Sequence, residues 1–219
     1  MIKKSEIYNL IESIDIPTGQ VISQSIINDE NIDVTQYGFY RNEIISYERS
    51  GFDKIYIPIK GTLKIKIKDD SGEKLHTISP FDFMFVNEGI LREIESDDDY
   101  VIVMITIKRR ETMLKNIEKG KLFKLNEAIS YQEDKIATKT LASDEKLVMT
   151  LLAFDGKQEL STHSAPGDAL VIALEGEARI DLDGTEHILK HGDSLIMPAN
   201  LPHAVYVEKN YKMLLIVSK

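Results

Sequence analysis

In the middle of the chain, apolar and polar residues alternate with a period of two. Thr62-Leu63-Lys64-Ile65-Lys66-Ile67-Lys68 has an apolar residue at every second position, as a strand with one face in a core and one in water requires. Glu177-Ala178-Arg179-Ile180-Asp181-Leu182 repeats the pattern. The run from Tyr100 to Lys108 is continuously apolar and rich in β-branched residues, and it is too short for most helices. Ser71-Gly72 and Asp183-Gly184 follow the alternating segments; both pairs tolerate positive φ and signal hairpin turns. Gly61 and Gly176 predict tight bends between strands. Short strands with turns about 8–12 residues apart predict an all-β sandwich or barrel. Helix is expected only at the edges. Ser5 is placed to cap a short helix whose Ile7, Leu10, Ile11 and Ile14 share a face, with Pro17 beyond its end. A second short helix is expected from Glu111 to Lys119, stopped by Gly120.

The chain also aligns with itself. Tyr8 to Ile14 falls on Phe123 to Ile129, and Ile57 to Gly61 on Ile172 to Gly176. After a short insertion in the first half, Phe81 to Val86 falls on Gly192 to Met197, and Tyr100 to Lys108 on Tyr211 to Lys219. Two copies of a long period predict a duplicated domain rather than a solenoid, whose repeats are shorter and more numerous. The division expected is a first domain at 1–108, a connector at 109–120 and a second domain at 121–219.

Composition narrows the function. The net charge of −9 argues against nucleic acid as a partner. The basic cluster Lys108-Arg109-Arg110 is short, lies at the junction and reads as a solvated linker. With no cysteine, the chain has no disulfide, thiolate metal site or thiol nucleophile. Its first residues have no apolar run behind them, as a signal peptide would, and no stretch is long and apolar enough for a membrane helix. The cytoplasm is the expected location. P-loop, dinucleotide-binding, H-E-x-x-H and nucleophile-elbow patterns are all missing.

One constellation could carry chemistry. Gly192-Asp193-Ser194-Leu195-Ile196-Met197-Pro198-Ala199-Asn200-Leu201-Pro202-His203 resembles the second motif of the cupin family, G-x5-P-x-G-x2-H-x3-N. Gly192, Pro198 and His203 match. Asn200 replaces a glycine and also tolerates a left-handed backbone, whereas Val207 stands at the asparagine position. Anchored backward from Gly176, the first motif, G-x5-H-x-H-x3,4-E-x6-G, has His163 in its first histidine slot, Ala165 in the second and Ala169 in the glutamate slot. Gly156 lies one residue too early for the leading glycine.

The resemblance implies two tandem cupin barrels, each a double-stranded β-helix (jelly roll), with a homodimer as the candidate assembly. In cupins that bind metal, three histidines and a glutamate hold iron, manganese, nickel, copper or zinc, ions that imidazole and carboxylate suit. Here His163 and His203 alone are retained, so a third ligand would have to be Gln158, Asp168 or His187. The alternative is that His163 and His203, with Gln158, bind an organic ligand without metal. His191 is expected to be exposed, and His76 to lie on a strand surface.

The internal alignment supplies a comparison for each of these positions. His163 falls on Glu48, His203 on Arg92, Ala165 on Ser50 and Ala169 on Lys54. The first half therefore carries no metal set, and no metal is expected there. Glu48 and Arg92 either meet as an ion pair in their barrel or both reach solvent. Asp53 and Asp168 also correspond, each just before a strand, where an Asx turn is expected. Three functions follow for the whole: a small-molecule-binding protein, a metal-dependent oxygenase or isomerase acting on a small acid or sugar derivative, or a structural module without ligand.

Overall fold

The computed structural model describes residues 2–108 and 114–219. It is all β. The strands of the first half are β1 (Ile7–Asn9), β2 (Val21–Asn28), β3 (Ile32–Phe39), β4 (Ile45–Arg49), β5 (Asp53–Lys60), β6 (Leu63–Asp69), β7 (Gly72–Ile78), β8 (Asp82–Val86), β9 (Leu91–Glu95) and β10 (Tyr100–Ile107). The second half follows with β11 (Leu122–Lys124), β12 (Ile136–Ser143), β13 (Leu147–Phe154), β14 (Gln158–His163), β15 (Asp168–Glu175), β16 (Glu177–Leu182), β17 (Thr185–Lys190), β18 (Asp193–Met197), β19 (His203–Val207) and β20 (Tyr211–Ser218).

Each of two compact units contains a six-stranded and a four-stranded antiparallel sheet. In the first, the orders are β11-β8-β5-β10-β3-β2 and β4-β9-β6-β7. In the second they are β1-β18-β15-β20-β13-β12 and β14-β19-β16-β17. Position by position the two orders match, and each unit is a jelly-roll barrel. The inward faces are apolar. Leu63, Ile65, Ile67, Ile78, Ile94 and Ile102 pack inside the first barrel, and Ala178, Ile180, Leu182, Leu189, Val205 and Met213 inside the second. Full burial of one such aliphatic side chain stabilises by about 1.5–3 kcal/mol, which is why the period-two pattern fixes the register.

Among the described residues there is no helix, and both helix expectations are corrected. Ser5 has φ +64°, and Ile7–Asn9 is a strand that pairs with β18, Tyr8 opposite Ser194. Ser5 N–H donates to the Ile196 carbonyl at 2.9 Å, and Leu10 N–H to the Gly192 carbonyl at 2.9 Å. An unpaired edge of β18 offers more backbone hydrogen bonds than one isolated helical turn, and the apolar spacing of Ile7 and Leu10 suits either arrangement. In the 111–119 region, Glu111 to Met113 lie outside the described residues. Leu114 forms a bridge with Ala142, and Gly120 closes a turn with φ +71°. Of the basic cluster, Arg109 and Arg110 also lie outside the described residues; Lys108 Nζ donates to Asn28 Oδ1 at 2.7 Å and to the Asp29 carbonyl at 2.6 Å.

The two units are not uninterrupted halves of the chain. The second unit takes Lys3–Leu10 along with Leu125–Lys219, and the first takes Ile117–Lys124 along with the run from Ile11 through β10. β11 pairs with β8, Phe123 opposite Phe83, as β1 pairs with β18. The leading strand of each half thus edges the six-stranded sheet of the other unit.

Candidate functional site

His163 and His203 meet across the edge of the four-stranded sheet in the second barrel. They are register partners on β14 and β19, and their rings lie 4.4 Å apart between centroids at 59°. A β-bulge between Leu160 and His163 makes this possible. Strict alternation from inward-facing Leu160 would turn residue 163 outward, and the extra residue restores it to the inner face. On the other side of β19, His203 is paired with the buried Leu182.

The motif residues shape the chain around the pair. Asn200 takes φ +62°, the left-handed conformation a glycine would supply, and its N–H donates to the Ala165 carbonyl at 2.7 Å. Leu201 and Ala165 pack against the apolar core beside the histidines. The chain then turns through Pro202 and delivers His203 at the start of β19 with only 4% of its surface exposed. His163 is exposed.

Backbone carbonyls fix both imidazoles. His163 Nδ1 lies 2.8 Å from the Ser161 carbonyl, and His203 Nδ1 lies 3.0 Å from the Leu201 carbonyl. A carbonyl can only accept, so each Nδ1 carries the proton and donates. A neutral ring held in this way keeps its lone pair on Nε2. Burial pushes the His203 pKa down; the Leu201 carbonyl opposes this, and the neighbouring His163 adds to it. His203 is therefore a neutral hydrogen-bond acceptor.

Register also gives the wall opposite. Across the six-stranded sheet, Val148, Val217, Ala169 and Met197 form one row, and Thr150, Leu215, Val171 and Leu195 the next. Seven of these eight side chains are apolar and pack in or against the barrel core. The buried His203 ring thus lies within a largely apolar barrel.

The remaining candidates do not join the pair. Gln158 is opposite Val207, at the far end of β14 from His163. Val207 is four positions beyond His203 along β19, which is roughly 13 Å of strand. His187 pairs with Ile180, and so faces the barrel interior from the outer strand β17, but its row is not that of His203, where Thr185 stands. Asp168 is committed elsewhere: its Oδ1 accepts the Ala199 N–H at 3.0 Å, and its Oδ2 pairs with Lys4 Nζ at 2.5 Å. Asp53 accepts the Glu88 N–H at 2.8 Å in the same way. Both aspartates therefore hold a sequence-distant loop rather than forming the expected local Asx turn. Their counterpart position in the two halves was the legible signal; the partner was not. Among the described residues no group of three or more histidine, aspartate or glutamate side chains converges as a metal site would. The donors present do not fit a resident divalent ion: two imidazoles remain where a family site has four ligands, with Ala165 and Ala169 in the other slots.

His191 is exposed, with Nδ1 2.6 Å from the Leu174 carbonyl. His76 departs from the surface reading. It is half-buried and opposite Ile65, on the inner face of the first barrel, because its edge strand keeps the register of β6.

In the first barrel Glu48 and Arg92 take the places of His163 and His203. They are register partners on β4 and β9, again after a bulge, this one between Ile45 and Glu48. Of the two alternatives, the ion pair is the one formed: Arg92 Nη2 lies 2.7 Å from Glu48 Oε1. Arg92 is 2% exposed, and its Nε also donates to the Tyr56 hydroxyl.

The comparisons agree with this architecture. Residues 150–218 match the cupin domain family model. A Cupin 2 conserved barrel domain protein from Leptotrichia buccalis is 33% identical, with TM-score 0.88, over 100% of this chain and 98% of its own. A conserved Streptococcus pyogenes protein of unknown function is 34% identical over 51% of this chain and 97% of its own, with TM-score 0.48. Oxalate decarboxylase from Bacillus subtilis, a protein with Mn(II) centres, shares the fold at 11% identity and TM-score 0.59, covering 100% of this chain and 78% of its own. No curated protein matches. The chain belongs to the cupin family, in its two-barrel form.

Proposed function

We propose that this protein binds a small, largely apolar organic molecule in its second barrel, and that the ligand donates a hydroxyl or N–H to Nε2 of His203 and His163. The observation carrying this reading is the commitment of both Nδ1 atoms to backbone carbonyls. It leaves the Nε2 atom of each ring for a ligand, and buried His203 stands among apolar side chains, the combination of a few placed polar groups and apolar lining that small-molecule pockets use. Neutral His203 suits a donor better than an anion. A metal-dependent oxygenase or isomerase would use the same Nε2 atoms, and its support is the fold shared with a Mn(II) decarboxylase. Two imidazoles without a carboxylate count against it. The matching barrel orders and the self-alignment of the sequence support descent of both barrels from one duplicated domain.

A ligand-detected NMR screen of the full chain tests the reading. The probes are small aliphatic alcohols, phenols and amides, with carboxylates of equal size as controls. Binding by the hydrogen-bond donors that His203→Ala abolishes is expected. Preference for the carboxylates, or no loss in His203→Ala, refutes it.

A further inference from the structure

The first barrel has an inner wall of quite different chemistry. Its register rows are Asp33, Thr106, Lys54 and Val86, then Thr35, Met104, Tyr56 and Met84. The corresponding rows of the second barrel hold Val148, Val217, Ala169 and Met197, then Thr150, Leu215, Val171 and Leu195. At the places of Ala169 and Val171 the first barrel thus carries a lysine and a tyrosine, and at that of His203 an arginine. A barrel kept only for packing has no use for these exchanges, since burying polar groups costs stability unless each is satisfied.

Some of these groups satisfy one another and some do not. The Arg92 guanidinium is committed to Glu48 and to the Tyr56 oxygen. Asp33 Oδ1 accepts the Thr35 hydroxyl at 2.5 Å. Because the Tyr56 oxygen accepts from Arg92, its own O–H proton remains to be donated. The half-buried Lys54 ammonium forms no hydrogen bond or ion pair among the described residues, and neither does the Tyr37 hydroxyl, which packs beside the same core. Burial pushes the Lys54 pKa down and nearby Arg92 pushes it further, while Glu48 and Asp33 act against them; burial also raises Tyr56 to about 12. Lys54, Tyr56 and Tyr37 therefore present unused donors around Arg92. Glu48 is paired with Arg92 and Asp33 holds the Thr35 hydroxyl; both carboxylates also favour the charged form of Lys54, without a direct contact to it.

We infer that the first barrel is a second binding site, specific for a small organic carboxylate, with the Lys54 ammonium and the Tyr56 and Tyr37 hydroxyls as its donors. Arg92 is a positioning residue: it turns the Tyr56 hydroxyl so that the proton points away from the guanidinium. The site needs no metal, and it differs in ligand class from the histidine site of the second barrel.

Calorimetric titration of the full chain with malonate and, separately, acetate is the test, at constant chloride. Saturable binding of at least one is expected. Lys54→Met should weaken it at least tenfold, Tyr56→Phe about threefold to tenfold, and His203→Ala not at all. Lys54→Met removes a desolvated charge, so its melting temperature should not fall; that reading separates lost binding from lost fold. Absence of saturable binding by either acid overturns the proposal, as does undiminished binding by Lys54→Met. Loss of binding in His203→Ala would move the carboxylate to the other barrel and overturn it equally.

Discussion

Arg92 and His203 hold the same station in the two barrels: each is the buried member of a cross-strand pair that a bulge brings into register. His203 faces a second imidazole, whereas Arg92 faces the carboxylate of Glu48. One backbone device, a bulge followed by an inward pair, thus supports two chemistries.

The Glu48–Arg92 pair predicts an asymmetry. Glu48 is half-exposed and can be hydrated when alone, but Arg92 is 2% exposed and cannot. Glu48→Gln leaves a buried charge without its counter-ion and should cost about 1–3 kcal/mol. Arg92→Met removes the charge itself and should cost less. Urea denaturation of both variants checks the order; the reverse order would mean that Arg92 acts chiefly by packing.

The depressed His203 pKa predicts a pH dependence of stability. The unfolded chain takes up a proton near pH 6.5, while folded His203 resists it. The contribution of His203 is therefore complete above that pH and is lost as the pH falls below it toward the folded pKa. Stability measured from pH 7.5 to 5 should decline more steeply in the wild type than in His203→Gln. Equal slopes would show that His203 titrates normally.

Gly176 and Gly184 both have positive φ, at +76° and +80°. A Cβ on Gly176 would come within 2.1 Å of the Asn210 carbonyl oxygen, whereas one on Gly184 would meet nothing within 4 Å. Gly184→Ala should cost about 1 kcal/mol from backbone strain alone. Gly176→Ala should cost more, because backbone must move as well. Thermal melts of the pair separate the two contributions.

Leu10 is fully buried although it precedes the first barrel in sequence. It belongs to the second unit and follows the strand that pairs with β18. Leu10→Ala should therefore cost about 2–5 kcal/mol. Amide exchange should accelerate at Ser194 and Leu195, and not at Phe83 and Met84 on the equivalent strand. Exchange that quickened at Phe83 instead would contradict the pairing.

The alternating segments, the glycine bends and the spacing of Gly192, Pro198 and His203 made the barrels legible in the sequence, because period and turn chemistry are local. The correspondence of Glu48 and Arg92 with His163 and His203 was legible too, but not whether the two meet, since side-chain reach is not written in the alignment. The strand at Ile7–Asn9 was not. Whether a short apolar segment forms a helix or a strand depends on a free sheet edge elsewhere, and β18 lies far along the chain. The same holds for Asp53 and Asp168, whose partners are loop amides that no local pattern announces. Inward placement of His163 depended on a bulge, which alternation alone does not reveal.

The central claim is that His163 and His203 receive a hydrogen bond from an organic ligand and hold no resident metal. Native mass spectrometry of the full chain, beside elemental analysis of the same sample, tests it most directly. The account predicts no stoichiometric metal, and an adduct with an alcohol, phenol or amide selected from the screen that is lost in both His163→Ala and His203→Ala. Stoichiometric manganese, iron, nickel, copper or zinc that disappears in His203→Ala would contradict it.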